Sequence, residues 1–142
     1  MTDPDQLRMR YLRERVLTAS PAQRVAMLYD RLALDLARAR ECPPATSPTQ
    51  QQPAAEFLDH AVQIVVELRA SLDHSAGGVA DNLAGLYGYL IRELLAARGG
   101  STGRLAGLAD IVEGLREAWT QAAASLSAGA GGASRGVAAW VS

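Results

Sequence analysis

The chain has 142 residues, a formal net charge of −1 and 49% apolar residues. That is one domain, or one domain with tails, and enough apolar side chains for a real core. The charge balance offers no field to draw nucleic acid or an anionic membrane, and the single cysteine, Cys42, excludes an intramolecular disulfide framework and fits a reducing compartment.

All the basic side chains are arginine and none is lysine, which genomic base composition explains more simply than a selected arginine function. Met1 to Gln6 is polar and acidic, unlike the start of a secretory signal. No apolar run approaches the roughly 20 residues that span a bilayer. A cytoplasmic protein is therefore expected, with no direct membrane insertion.

In chain order, residues 5–17 read as a short helical segment in which Leu7 and Tyr11 share a face and arginines point elsewhere. At about 13 residues it is marginal as a free helix, so it is either a fixed brace on the body or a mobile cap. The next helix starts sharply. Ser20 is a ready N-cap, Pro21 fits the first helical position, and Gln23 can complete a capping box. From there Val25, Leu28, Tyr29, Leu32 and Leu36 lay one apolar stripe to about Arg40. Cys42-Pro43-Pro44 stops the helix, and residues 43–53 are a polar, Pro-rich linker.

A third helix is expected over about 54–73, with Phe57, Ala61, Ile64, Leu68 and Leu72 in one stripe and Leu58, Val62, Val65 and Val66 in a second. That arc is wider than a two-helix seam requires, so the helix is central in a bundle or offers a surface. After the His74–Gly78 break a fourth helix spans about 79–98. Val79, Leu83, Leu86, Leu90 and Leu94 form its main row, Tyr87, Ile91 and Leu95 widen it, and Gly88 interrupts it. A fifth covers about 104–126, with Leu105, Leu108, Val112, Leu115, Trp119 and Leu126 on one side. Residues 127–142 form a Gly/Ala/Ser-rich tail ending in Val137, Ala138, Ala139, Trp140 and Val141, an apolar patch that docks locally or stays loose. Every periodic segment repeats at 3.6 residues, so the expected fold is all-α: an antiparallel, up-and-down four-helix bundle over residues 18–126, with a linker at 42–53 and a short cap segment at 1–17.

The residues that carry chemistry elsewhere are sparse. His60 and His74 lack partners at metal-ligand spacing, no Glu-x-x-His motif occurs, and neither glycine pair resembles a phosphate loop. Cys42 has no histidine near it in sequence. Neither an enzyme nor a cofactor or metal site is expected.

A set of local phrases is more telling. Tyr11, Thr18-Ala19-Ser20-Pro21, Met27-Leu28-Tyr29-Asp30, Ile64, Glu67-Leu68, Leu72-Asp73, Ala80, Asn82-Leu83, Leu86-Tyr87, Tyr89 and Leu115-Arg116-Glu117-Ala118-Trp119 occur in this order. Taken together they resemble the flagellar export chaperone family FliS, over about residues 11–120. Gly88, Leu90, Arg98 and the long connection at 42–54 depart from the family pattern, which bears on partner contacts more than on fold.

The resemblance implies a chaperone that binds the C-terminal segment of flagellin, disordered alone and helical when bound, by apolar anchors entering grooves between helices. It implies that premature polymerisation is prevented, and that the region around Tyr11 occupies a groove without substrate and serves docking at the export gate. The groove residues expected on this basis are Tyr11, Leu28, Tyr29, Leu68, Leu72, Leu83, Leu86, Tyr87, Leu90 and Ile91, about half of them doubling as plain core. Tyr29 and Tyr87 carry extra weight, since a buried hydroxyl needs a partner; Trp119 is expected as a core anchor. The free protein is expected to be a monomer or weak homodimer. The alternative is a structural bundle or adaptor that self-associates through the same arc.

Overall fold

The computed structural model describes residues 3–18, 20–43, 47 and 53–128. Five α-helices fill them: α1 (Pro4–Thr18), α2 (Pro21–Glu41), α3 (Ala55–Ala70), α4 (Gly78–Arg98) and α5 (Leu105–Ala128), with 3-10 turns at His74–Ala76 and Thr102–Arg104. No strand occurs among the described residues, so the all-α expectation holds. Most of the expected linker at 43–53, and the apolar patch Val137–Val141, lie outside the described residues.

The helix starts and stops have local causes. At the head of α2 the Gln23 backbone N–H donates to Ser20 Oγ at 3.2 Å, while the Ser20 N–H donates to Gln23 Oε1 at 2.9 Å. This closes the expected capping box, with Pro21 at the first helical position. The third helix stops three residues short of the expected Asp73. The reason is Asp73 itself: its Oδ1 accepts from the Ser75 N–H at 3.0 Å and the Ser75 hydroxyl at 2.6 Å, which holds it extended. Gly77 then turns the chain at φ +85°, a conformation costly for any residue with a Cβ.

Helix α2 packs against α3 on one side and α5 on the other, α3 packs against α4, and α4 and α5 touch more sparsely. Each neighbouring pair is antiparallel. Asp59 near the start of α3 accepts from Arg98 at the end of α4 at 2.7 Å. The Trp119 indole N–H, late in α5, donates to the carbonyl of Ala22, early in α2, at 3.2 Å. The bundle interior is apolar: Leu32, Leu36, Leu58, Leu68, Leu90 and Leu94 are fully buried, each worth roughly 1.5–3 kcal/mol over exposure.

Three features of the interior are polar or aromatic. The hydroxyls of Tyr29 on α2 and Tyr87 on α4 hydrogen-bond to each other across the core, and the Trp119 ring lies 6.3 Å from that of Tyr29 at a 53° tilt. Trp119 is thus the expected core anchor. The third is Asp35, 1% exposed on α2. One carboxylate oxygen bonds His60 Nδ1 on α3; the other accepts no hydrogen bond and lies 3.5 Å from Arg31 Nε.

Helix α1 departs from expectation in one respect. Its side chains from Pro4 to Tyr11 are all exposed, with Leu7 at 49% and Tyr11 at 65%. Tyr11 therefore does not sit in a groove of this structure. The physical reason is area: Leu7 and Tyr11 are the apolar pair of that face, and the arginines between them leave little else to bury against the bundle.

Candidate partner-binding surface

Apart from the exposed Tyr11, the expected groove residues separate into two groups. Tyr29, Leu68, Leu72, Tyr87 and Leu90 are buried and belong to the core. Leu28, Leu83 and Ile91 are half-buried and pack on that core from outside, and Leu86 is half-buried as well. For Tyr29 and Tyr87 the hydroxyl partner is internal, because each satisfies the other. Burial pushes both hydroxyls above the ordinary tyrosine range, Tyr87 further because its Tyr29 neighbour adds to the effect.

The half-buried residues define two seams, one on each flank of α4. Leu86 and Glu93 are seven residues apart and so share a flank. Glu93 pairs with Arg104 of the turn that leads into α5, so this flank faces α5. The half-buried Leu83, Leu86, Ile111 and Leu115 belong to this sparsely closed α4–α5 side of the bundle. The opposite flank of α4 carries Ile91 and Leu95, one helical turn before Arg98, whose partner Asp59 belongs to α3. Facing them on α3 are Val62 and Val66, in the turns that follow Asp59.

The sequence analysis allowed the wide arc of the third helix as a surface, and Val62 and Val66 of that arc lie in this second seam. Val66 is 50% exposed and Leu95 51% exposed, while Val62 and Ile91 are half-buried beneath them. The width of the apolar arc on α3 was the available signal, and Val66 is the residue that makes it wide. Gly88 lies on the same flank of α4. No other backbone approaches it: a Cβ placed there would meet only Arg92 Nη1 at 3.5 Å and Arg69 Nη1 at 4.0 Å.

Among the described residues, the polar side chains do not converge on a reacting centre. His60 is committed to Asp35, and His74 lies exposed 3.9 Å from the Asp81 carboxylate. Cys42 donates its thiol hydrogen locally, to the Arg38 carbonyl at 3.3 Å or that of Pro53 at 3.7 Å. No helix among the described residues is long and apolar enough to cross a membrane. What the surface offers is apolar seams between rigid helices, the geometry that receives a partner segment.

Comparison with known proteins gives that geometry its context. The sequence matches the family described as flagellar protein FliS over residues 4–126. This chain belongs to the FliS family. It is 34% identical over 109 residues to the flagellar secretion chaperone FliS of Salmonella typhimurium (strain LT2), covering 75% of this chain and 78% of that relative. The FliS match takes in α1, all four bundle helices and the connections between them. Both matched descriptions are flagellar, and a secretion chaperone is a non-enzymatic kind of protein.

Proposed function

We propose that this FliS-family protein is a cytoplasmic export chaperone for flagellin. It binds the C-terminal segment of that client in the seams flanking α4 and keeps it from polymerising before delivery to the export apparatus. The observation that carries the reading is the sparse closure between α4 and α5, which leaves Leu83, Leu86, Ile111 and Leu115 half-buried beside a core of fully buried leucines. A client segment that becomes helical on binding would complete the burial of these side chains, and the area covered must offset the cost of ordering it. The core residues Tyr29, Leu68, Leu72, Tyr87 and Leu90 act beneath this surface as its rigid floor, with Leu28 and Ile91 at its edges. Helix α1, with Leu7, Met9 and Tyr11 presented outward, is a second contact element, for the export gate or as a competitor for the seam.

The test is titration of the protein with a flagellin C-terminal peptide, followed by circular dichroism and sedimentation. A 1:1 complex with gained helicity supports the reading, and Leu86→Arg weakens it at least tenfold without lowering the unfolding midpoint. Failure of the peptide to bind, together with a concentration-dependent dimer, refutes it in favour of a self-associating bundle.

A further inference from the structure

The α3–α4 seam ends in two guanidinium groups that no carboxylate among the described residues answers. Arg69 reaches across from α3 and Arg92 lies along α4, and their Nη1 atoms stand 4.0 Å and 3.5 Å from the same point above Gly88. The absent side chain at Gly88 is what leaves this notch open. The other arginines that bridge helices are paired: Arg98 with Asp59, Arg104 with Glu93, Arg116 with Asp30. Arg69 and Arg92 form no ion pair among the described residues, and both are exposed. Two like charges brought to one point raise the local potential and favour an anion there.

The notch is the end of an apolar strip. From Asp59 to Arg69 α3 rises about 15 Å, close to three helical turns. Within that length Val66 and Leu95 are half exposed above Val62 and Ile91. One end of the strip is closed by the Asp59–Arg98 ion pair and the other by the unanswered arginines. A groove between two antiparallel helices, apolar along its length and basic at one end, has the shape and charge for an amphipathic helix with a carboxylate beside its apolar stripe.

We infer that the α3–α4 face is a docking seat for an acidic amphipathic helix of a partner protein, with Arg69 and Arg92 holding its carboxylate. Charge complementarity selects this occupant over the chain's own ends. Helix α1 sets Arg8, Arg10, Arg13 and Arg15 against only Asp5 and Glu14, and residues 127–142 contain Arg135 and no acidic side chain. The seat rests on the proposed client-binding reading and deepens it by naming the chemistry of the docked helix: equal binding of both peptides below would fail the charge claim alone, whereas binding of neither would fail the seam itself.

The test uses the full chain and two fluorescein-labelled synthetic 18-residue helical peptides with the same leucine stripe. One carries glutamates along one flank, and the other carries glutamines at those positions. The expected result is that the glutamate peptide binds about five- to tenfold tighter at low salt, and that the preference shrinks at 0.5 M salt, as roughly two solvent-facing pairs allow. The R69Q/R92Q variant abolishes the preference while keeping the residual apolar binding, and Leu95→Asp removes binding of both peptides. These positions are exposed, and an unchanged circular dichroism spectrum verifies the fold of each variant. The inference is overturned if neither peptide binds, if both bind equally, or if R69Q/R92Q leaves the preference intact. It is also overturned if Leu95→Asp instead dissolves a dimer of the free chain, which would assign the face to a second copy.

Discussion

The Tyr29–Tyr87 pair offers a quantitative test of how the bundle interior is held. Each hydroxyl is buried and each is the other's partner. Tyr29→Phe or Tyr87→Phe removes one oxygen and no ring atoms, so no large cavity opens, but the remaining hydroxyl is stranded in apolar surroundings. The lost hydrogen bond and the unsatisfied group together cost about 1–3 kcal/mol per single variant. The double variant removes both polar atoms and is expected to cost no more than either single, giving a coupling at least as large as one single-variant cost, about 1–3 kcal/mol. Urea unfolding followed by helical circular dichroism reads all four proteins.

The pH dependence has a defined sign. Both hydroxyls are pushed above their ordinary value of 10.0, so the folded state holds the neutral forms. Their contribution is fully present below about pH 10, where the unfolded tyrosines are protonated as well. It is lost as pH rises further and the unfolded chain releases protons that the folded chain retains. The slope is at most about 1.4 kcal/mol per pH unit for each tyrosine, and the Y29F/Y87F double variant lacks it. Additive single-variant costs, within about 0.5 kcal/mol, or an unchanged alkaline slope in the double variant would refute the account.

Three further outcomes follow from local geometry. Ser20→Ala breaks the capping box and is expected to lower stability by about 1 kcal/mol, with the loss of amide protection concentrated in the first turn of α2. Gly88→Ala is expected to raise stability by about 0.5–1 kcal/mol, because a helix-interior glycine becomes alanine and the new methyl meets only the flexible ends of Arg92 and Arg69; a fall in the urea midpoint would contradict this. Deleting residues 1–17 is expected to leave a cooperatively unfolding bundle with its stability changed by less than about 0.5 kcal/mol, since the side chains of α1 up to Tyr11 are exposed. Loss of cooperativity would show α1 to be a brace.

The boundaries of α2 were legible because the signals are local: Ser20, Pro21 and Gln23 act within four residues, and Pro43 follows the helix end. The end of α3 was misplaced by three residues because Asp73, which looks like a last helical residue, is instead a cap for the following turn. The surface was less legible. Helical periodicity shows that Tyr87, Leu90 and Ile91 share a broad face but does not rank them by depth, and only the neighbouring helices decide that Leu90 is core and Ile91 an edge. Pairings such as Tyr29 with Tyr87 and Asp35 with His60 are set by tertiary register, which no local pattern encodes.

Asp35 has a consequence for how α2 and α3 find their alignment. They are joined through the longest connection between the bundle helices, Cys42 to Ala54, and a connection of that length does not by itself fix one alignment. Apolar contacts alone tolerate sliding, because leucine on leucine is nearly as good one turn away. A carboxyl group that is 1% exposed does not: a slip of one turn, about 5.4 Å, would carry it away from His60, and a buried polar group without its hydrogen-bond partner costs about 1–3 kcal/mol. The bundle thus carries its own alignment mark, at the interface where the connecting chain is least able to impose one.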